Sequence, residues 1–261
     1  MSKAKALYLV GLLIVALVFP DVSLRGTSQA QNNERQLLAT LQLQPEPGNQ
    51  VIVPNFKLEK YSDSSVTISS EVDRVIGSGT LLYGYQVDIA NGTYKTFLLD
   101  PNEYPLKDTD DEKISNDEPT PGYVVSRWWA RVTVQTVDPA FCKLTETTSY
   151  ILWAVHSNWT LSYEQYHDGV WRANPSCVNT HWFLDSVEYG RPWYSHGQTT
   201  VSNSVLGDYY NWDFGNPGRK TWVLERVQIN GHTNGTYTGS WSRTDGGEYS
   251  NLIYGKVRFS G

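Results

Sequence analysis

The sequence predicts an all-β fold: a two-sheet antiparallel β-sandwich, jelly-roll-like, of about twelve strands and with one disulfide. Three observations predict it. No helical period is sustained after Val51. Short runs rich in Val, Ile, Thr, Tyr and Trp alternate with Gly, Asn and Asp turn signals. The apolar inventory is rigid and aromatic, with 10 Trp and 17 Tyr against a single Met. A parallel α/β fold needs crossover helices, and no segment has the pattern for one.

The N-terminus reads as a signal peptide over residues 1–30. Lys3 and Lys5 precede an uncharged apolar run, Ala6 to Phe19, and Ser28-Gln29-Ala30 supplies the small residues of a cleavage site. The run is short for a membrane span, which takes roughly 20 apolar residues. The alternative is an uncleaved tether through residues 6–19. Cleavage leaves 18 basic and 26 acidic residues, a net charge of −8. An acidic chain without a basic cluster is a poor ligand for nucleic acid. The expected location is extracellular, and the mature domain is not expected to embed in a membrane. Cys142 and Cys177 are the chain's two cysteines, and an exported pair is expected to form a disulfide. It would close a loop of about 36 residues, worth roughly 3–4 kcal/mol by loop entropy.

Residues 31–50 are polar and read as a flexible arm. A short helix is expected over Glu34 to Leu43, with Leu37, Leu38 and Leu41 on one face. The domain proper is 51–261. Its candidate strands are 51–59, 64–72, 80–90 and 93–99. They continue with 123–137, 147–155, 159–166, 170–174, 181–189, 198–205, 208–214, 219–229, 236–243 and 249–259. Asn91-Gly92, Asp168-Gly169, Asn230-Gly231 and Asp245-Gly246-Gly247 are hairpin signals, which makes a meander of the last three strands. Between the two series lies an acidic, proline-bearing loop, 100–122. Asp108, Asp110, Asp111 and Glu112 offer oxygen ligands for calcium, but Lys113 stands where the loop glycine of an EF-hand belongs. A solvated loop is the simpler reading.

Alternation along strands then sorts the side chains by face. In 208–214, Tyr210, Trp212 and Phe214 share one face and are expected in the core. In 127–135, Trp129 sits between Arg127 and Arg131 on the polar face. Trp222 and Arg226 share a face, as do Tyr254, Lys256 and Arg258. Rings beside cations have two explanations. One is a cross-strand ladder that stabilises a wet sheet face by about 0.5–1 kcal/mol per pair. The other is a glycan-binding face built from Trp129, Arg131, Trp222, Arg226, Tyr254 and Arg258. Glu225 is the one acid among apolar neighbours. A buried carboxyl has a raised pKa, as a general acid requires. A retaining glycosidase would need a second carboxylate about 5 Å away. Asp185, Glu188 and Glu248 are candidates, and a buried ion pair is the plainer account.

The five histidines lack the i,i+2 or i,i+4 spacing of a local metal motif, and no G-x-S-x-G elbow occurs. No metal and no cofactor are expected. Three sequons occur, at Asn91, Asn158 and Asn234. The expected function is non-catalytic, extracellular binding of glycan or cell-surface polysaccharide by a monomer. A secreted glycoside hydrolase or lyase using Glu225 is the first alternative. A structural surface protein without a ligand is the second.

Overall fold

The computed structural model describes residues 35–100, 122–138, 142–173, 181–212, 218–247 and 254–261. The signal-like segment, most of the acidic loop, Cys177, Phe214 and Glu248 lie outside these residues. No helix occurs among the described residues. The strands are β1 (Leu37–Gln42), β2 (Gln44–Pro45), β3 (Lys57–Tyr61), β4 (Val66–Val75), β5 (Leu81–Asp88), β6 (Thr93–Leu98) and β7 (Val124–Val137). They continue with β8 (Lys143–His156), β9 (Leu161–Arg172), β10 (Phe183–Tyr194), β11 (Thr200–Asn211), β12 (Thr221–His232), β13 (Thr236–Gly247) and β14 (Tyr254–Ser260).

They form two seven-stranded sheets. Sheet I runs β1-β3-β4-β13-β12-β11-β10 and sheet II runs β2-β6-β5-β14-β7-β8-β9. The β2–β6 pair is parallel, and the other described pairs are antiparallel. The inner faces meet over one large apolar cluster. Val205, Val227, Ile229 and Trp241 of sheet I share it with Val132, Ile151, Trp153 and Phe259 of sheet II. Each such side chain contributes about 1.5–3 kcal/mol on burial. The Trp241 indole also donates across the sheets to the Tyr83 hydroxyl, at 2.9 Å. Two glycines make the fit possible. A Cβ on Gly239 would stand 2.4 Å from the Phe259 ring, and one on Gly231 would stand 2.8 Å from Trp153.

Several expectations change. The helix expected over Glu34 to Leu43 is strand β1. Leu37, Ala39, Leu41 and Leu43 follow a period of two, while Leu37, Leu38 and Leu41 suit a helical one, and Leu43 is buried where the chain passes from sheet I to sheet II. The arm is therefore tied down over residues 37–45. Asp168-Gly169 does not turn the chain. It sits inside β9, opposite Ser149 and Thr148 of β8. The strands expected over 198–205 and 208–214 merge over their described residues into one, β11, continuous through Leu206 and Gly207. The closing meander is β10 to β13, because β14 crosses to sheet II and pairs with β5 and β7. Asn230-Gly231 belongs to β12, and the turn comes later, at 233–235. Asn91-Gly92 does lie in the turn joining β5 to β6.

The continuity of β11 reverses one reading of faces. Val201 and Val205 point inward, so Tyr209 does too, and it is fully buried. Tyr210 and Trp212 point outward instead of forming core, and Trp212 is 46% exposed.

Candidate functional site

The six residues expected to share one binding face divide between opposite sides of the molecule. Trp129, Arg131, Tyr254 and Arg258 stand together on the outer face of sheet II, where β7 and β14 are neighbours. Trp222 and Arg226 stand on β12, on the outer face of sheet I. No single planar ligand can touch both sets.

On sheet II the rings meet each other. Trp129 and Tyr150 lie 6.1 Å apart, and Tyr150 and His167 lie 5.6 Å apart, each pair tilted by about a third of a right angle. This carries a ladder across β7, β8 and β9. The Arg131 guanidinium is 5.5 Å from the centre of the Tyr150 ring. Arg127 holds both Glu164 oxygens from Nε, at 2.8 Å each. Burial pushes the Lys256 amine down to about 8. Gln135 likewise donates to Glu146, and side-chain pairs of this kind are what a cross-strand ladder is built from.

On sheet I the arrangement is open. The Trp222 ring lies across the neighbouring strand at Gly246, where a Cβ would stand 2.5 Å from it. Phe183 and Tyr210 stack at 5.3 Å with 20° between planes, and Trp212 meets Tyr210 edge-on at 6.2 Å. Lys220 stands 4.8 Å over Tyr210. Arg35 lies 3.6 Å over Tyr61 and 5.9 Å from Trp222. The floor beyond this aromatic end is hydroxyl and amide. Ser204, Gln228 and Ser240 form one cross-strand row, and Ser202, Asn230 and Thr238 the row beyond it. Ser202 and Gln228 both donate to the Asn230 side-chain oxygen, at 2.8 and 2.9 Å. The face ends in a shallow cavity of about 640 Å³ lined by Asp73, Thr200, His232 and Thr238 among others. Thr238 donates to Asp73 at 2.6 Å. From Trp222 to His232 the strand runs roughly 33 Å, at about 3.3 Å per residue.

One carboxyl on this face has its pKa pushed up. Burial pushes Asp208 up to about 6, the Asp185 charge pushes the same way, and Lys220 opposes them. Asp208 is paired with Leu224 on β12 and with Ser186 on β10, and Asp185 occupies the bulge of β10.

Glu225 faces the other way. It is fully buried between the sheets. Thr136 and Thr145 donate to one of its oxygens at 2.6 and 2.7 Å, and Thr147 donates to the other at 2.8 Å. Burial pushes it up to about 7, against those three hydroxyls and the Arg243 charge. It has no ion pair of its own, because Arg243 is bonded to Asp245 through Nε at 3.1 Å and Nη2 at 2.8 Å. Asp185 and Glu188 are exposed on β10, the far edge strand of sheet I, and do not face Glu225. A half-buried acid lies nearer the β9 edge. Asn203 donates to Asp168 at 2.8 Å and to Ser149 at 2.9 Å, and burial raises Asp168 to about 7 against the bonds from Ser149 and Asn203.

Residue-level reasoning missed Tyr210, Trp212 and Phe183 as surface rings, and it missed Asp208. The signal was the inward parity of Val201 and Val205 extended through Gly207. The calcium ligands considered at Asp108, Asp110, Asp111 and Glu112 lie outside the described residues. No protein family, no curated protein and no solved structure matches this chain.

Proposed function

We propose that the protein is an extracellular, non-catalytic glycan-binding β-sandwich whose contact surface is the outer face of sheet I. The observation that carries this is the Trp222 ring packed against Gly246, on the same outer face as two rows of hydroxyls and amides. Sugar rings offer C–H groups to aromatic faces and hydroxyls to polar floors. Arg226, exposed on the same strand, is the cation of this surface. Trp129, Arg131, Tyr254 and Arg258 then act as a stabilising ladder. Binding is by a monomer at the cell exterior, with the polysaccharide as partner. Affinity electrophoresis of the secreted chain through gels cast with single polysaccharides tests this. Retardation by at least one glycan, lost in Trp222→Ala, supports it. Unchanged mobility in every gel rejects it.

The same reading includes a jelly-roll-like arrangement of the two sheets and a Cys142–Cys177 disulfide. Ala173 donates to Leu144 at 2.8 Å and Trp182 donates to Ala173 at 3.1 Å. The segment carrying Cys177 thus begins and ends beside the strand that follows Cys142. Thiol titration of the unfolded, unreduced protein should find no free thiol.

A secreted glycoside hydrolase is the second reading, and Asp208 favours it. A carboxyl held partly protonated by burial and by a neighbouring carboxylate, on a face bearing rings, has the properties of a general acid. Glu225, shut between the sheets, does not reach a ligand on that face. Reducing-sugar release that disappears in Asp208→Asn would establish hydrolysis.

A further inference from the structure

We infer that Asn158 and Asn234 are N-glycosylation sites, each presented by an exposed hairpin turn. Both belong to Asn-x-Thr triplets, and both turns have the same internal geometry. The Asn158 side-chain oxygen accepts from the Thr160 amide at 3.2 Å and from the Thr160 hydroxyl at 2.7 Å. The Asn234 oxygen accepts from the Thr236 amide at 3.2 Å and hydroxyl at 2.7 Å. The middle residues share the left-handed backbone, with φ of 62° at Trp159 and 77° at Gly235. With the oxygen fixed toward the chain, the amide nitrogen is turned away from it. Both asparagines are exposed.

The third triplet is built differently. Asn91 commits its amide nitrogen to Asp88, donating at 2.7 Å, and its backbone N–H goes to Asp88 as well, at 3.0 Å. Thr93 enters β6 and pairs with Asp88 across the hairpin. This site is not assigned.

The two assigned turns lie at one end of the sheets. The Trp153 indole, near the end of β8, donates to the His232 carbonyl at the end of β12, at 3.4 Å. A glycan on each would therefore leave the same pole, the one on Asn234 from the rim of the cavity that ends the outer face of sheet I. The reaction is a nucleophilic transfer. The Asn Nδ2 bonds to C1 of an oligosaccharide carried on a lipid phosphate or diphosphate. The C1–O bond to phosphate breaks, the lipid phosphate leaves with the electron pair, and the amide gives up one proton. Nothing is oxidised or reduced.

This inference rests on the export reading, and the test separates the two. The full chain is recovered from its own source, in cell and external fractions, and its proteolytic peptides are weighed by tandem mass spectrometry. The expected result is exported protein in which the Asn158 and Asn234 peptides carry sugar increments. Asn158→Gln and Asn234→Gln should each abolish one increment while the circular dichroism is unchanged. The Asn91 peptide should have its bare mass. Exported protein with bare Asn158 and Asn234 peptides overturns the glycan assignment and leaves export standing. Bare protein confined to the cell overturns both.

Discussion

On sheet II the rings and arginines of the outer face contact one another, whereas on sheet I the rings lie at one end and rows of hydroxyls and amides, partly buried, lie beyond them. Trp129 tilts against Tyr150, and Arg131 covers that same tyrosine. Trp222 lies against a glycine, with the Arg35 guanidinium 5.9 Å from its ring centre. The residue types are the same on both faces. What differs is the neighbour one strand away: Leu152 beside Trp129, Gly246 beside Trp222. A side chain at the neighbouring position props a ring up among its fellows, and a glycine lets it lie down as a platform.

The largest expected effect lies between the sheets and serves as a control that leaves both faces intact. Glu225 and Asp168 have folded pKa values near 7, above their ordinary 4.5 and 3.8. Stability from groups raised in this way is complete below the ordinary values and is lost as pH rises through the folded ones. Melting temperature should therefore fall from about pH 4 to pH 7 and level off above. Glu225 accounts for about 3 kcal/mol of this, because each tenfold change in proton affinity is worth about 1.4 kcal/mol. Glu225→Gln should make the profile shallower, leaving the part due to Asp168, and leave the variant more stable than the parent at pH 8, measured by calorimetry across pH. An unchanged profile would show that Glu225 is ionised throughout, held by its three threonines.

Next in size is the contrast between the two tryptophans. Trp222→Ala should weaken glycan affinity by roughly ten- to a hundredfold, about 1.4–3 kcal/mol, with melting temperature nearly kept. Trp129→Ala should do the reverse, costing about 1 kcal/mol of stability with affinity kept. Binding isotherms and denaturant melts on both variants would break the comparison if the effects were exchanged.

The smallest effect sharpens the account of the polar pole. Trp159 is 69% exposed and holds a left-handed φ of 62°. That conformation costs a non-glycine residue about 1–2 kcal/mol. Trp159→Gly should raise stability by about 1 kcal/mol in a urea melt, in the manner of Gly235 in the matching turn.

How far the sequence could be read depended on whether parity was unbroken. Along β7 and β12 the alternation of Trp128/Ala130/Val132 and Val223/Val227/Ile229 is clean, and those faces were assigned correctly. Along β11 the inward set includes Asn203, Gly207 and Asn211, all polar or small. Alternation of hydrophobicity fails there, although alternation of direction does not. Asn203 is tolerated inside because Asp168 and Ser149 accept from it, a pairing between distant strands that no local pattern announces. Asp168-Gly169 misled for the same reason. Its aspartate is needed within a strand, so the turn chemistry of the pair goes unused. Which sheet each strand joins was also illegible. Trp129 and Trp222 look equivalent along the chain and end on opposite sides of the molecule.

Tryptophan fluorescence of residues 31–261, titrated with a panel of soluble polysaccharides, tests the central claim most directly. The parent and the Trp222→Ala and Trp129→Ala variants would be run side by side. Saturable quenching by one glycan, kept in Trp129→Ala and lost in Trp222→Ala, is the predicted result. Loss in Trp129→Ala with retention in Trp222→Ala, or no response to any glycan, would contradict it.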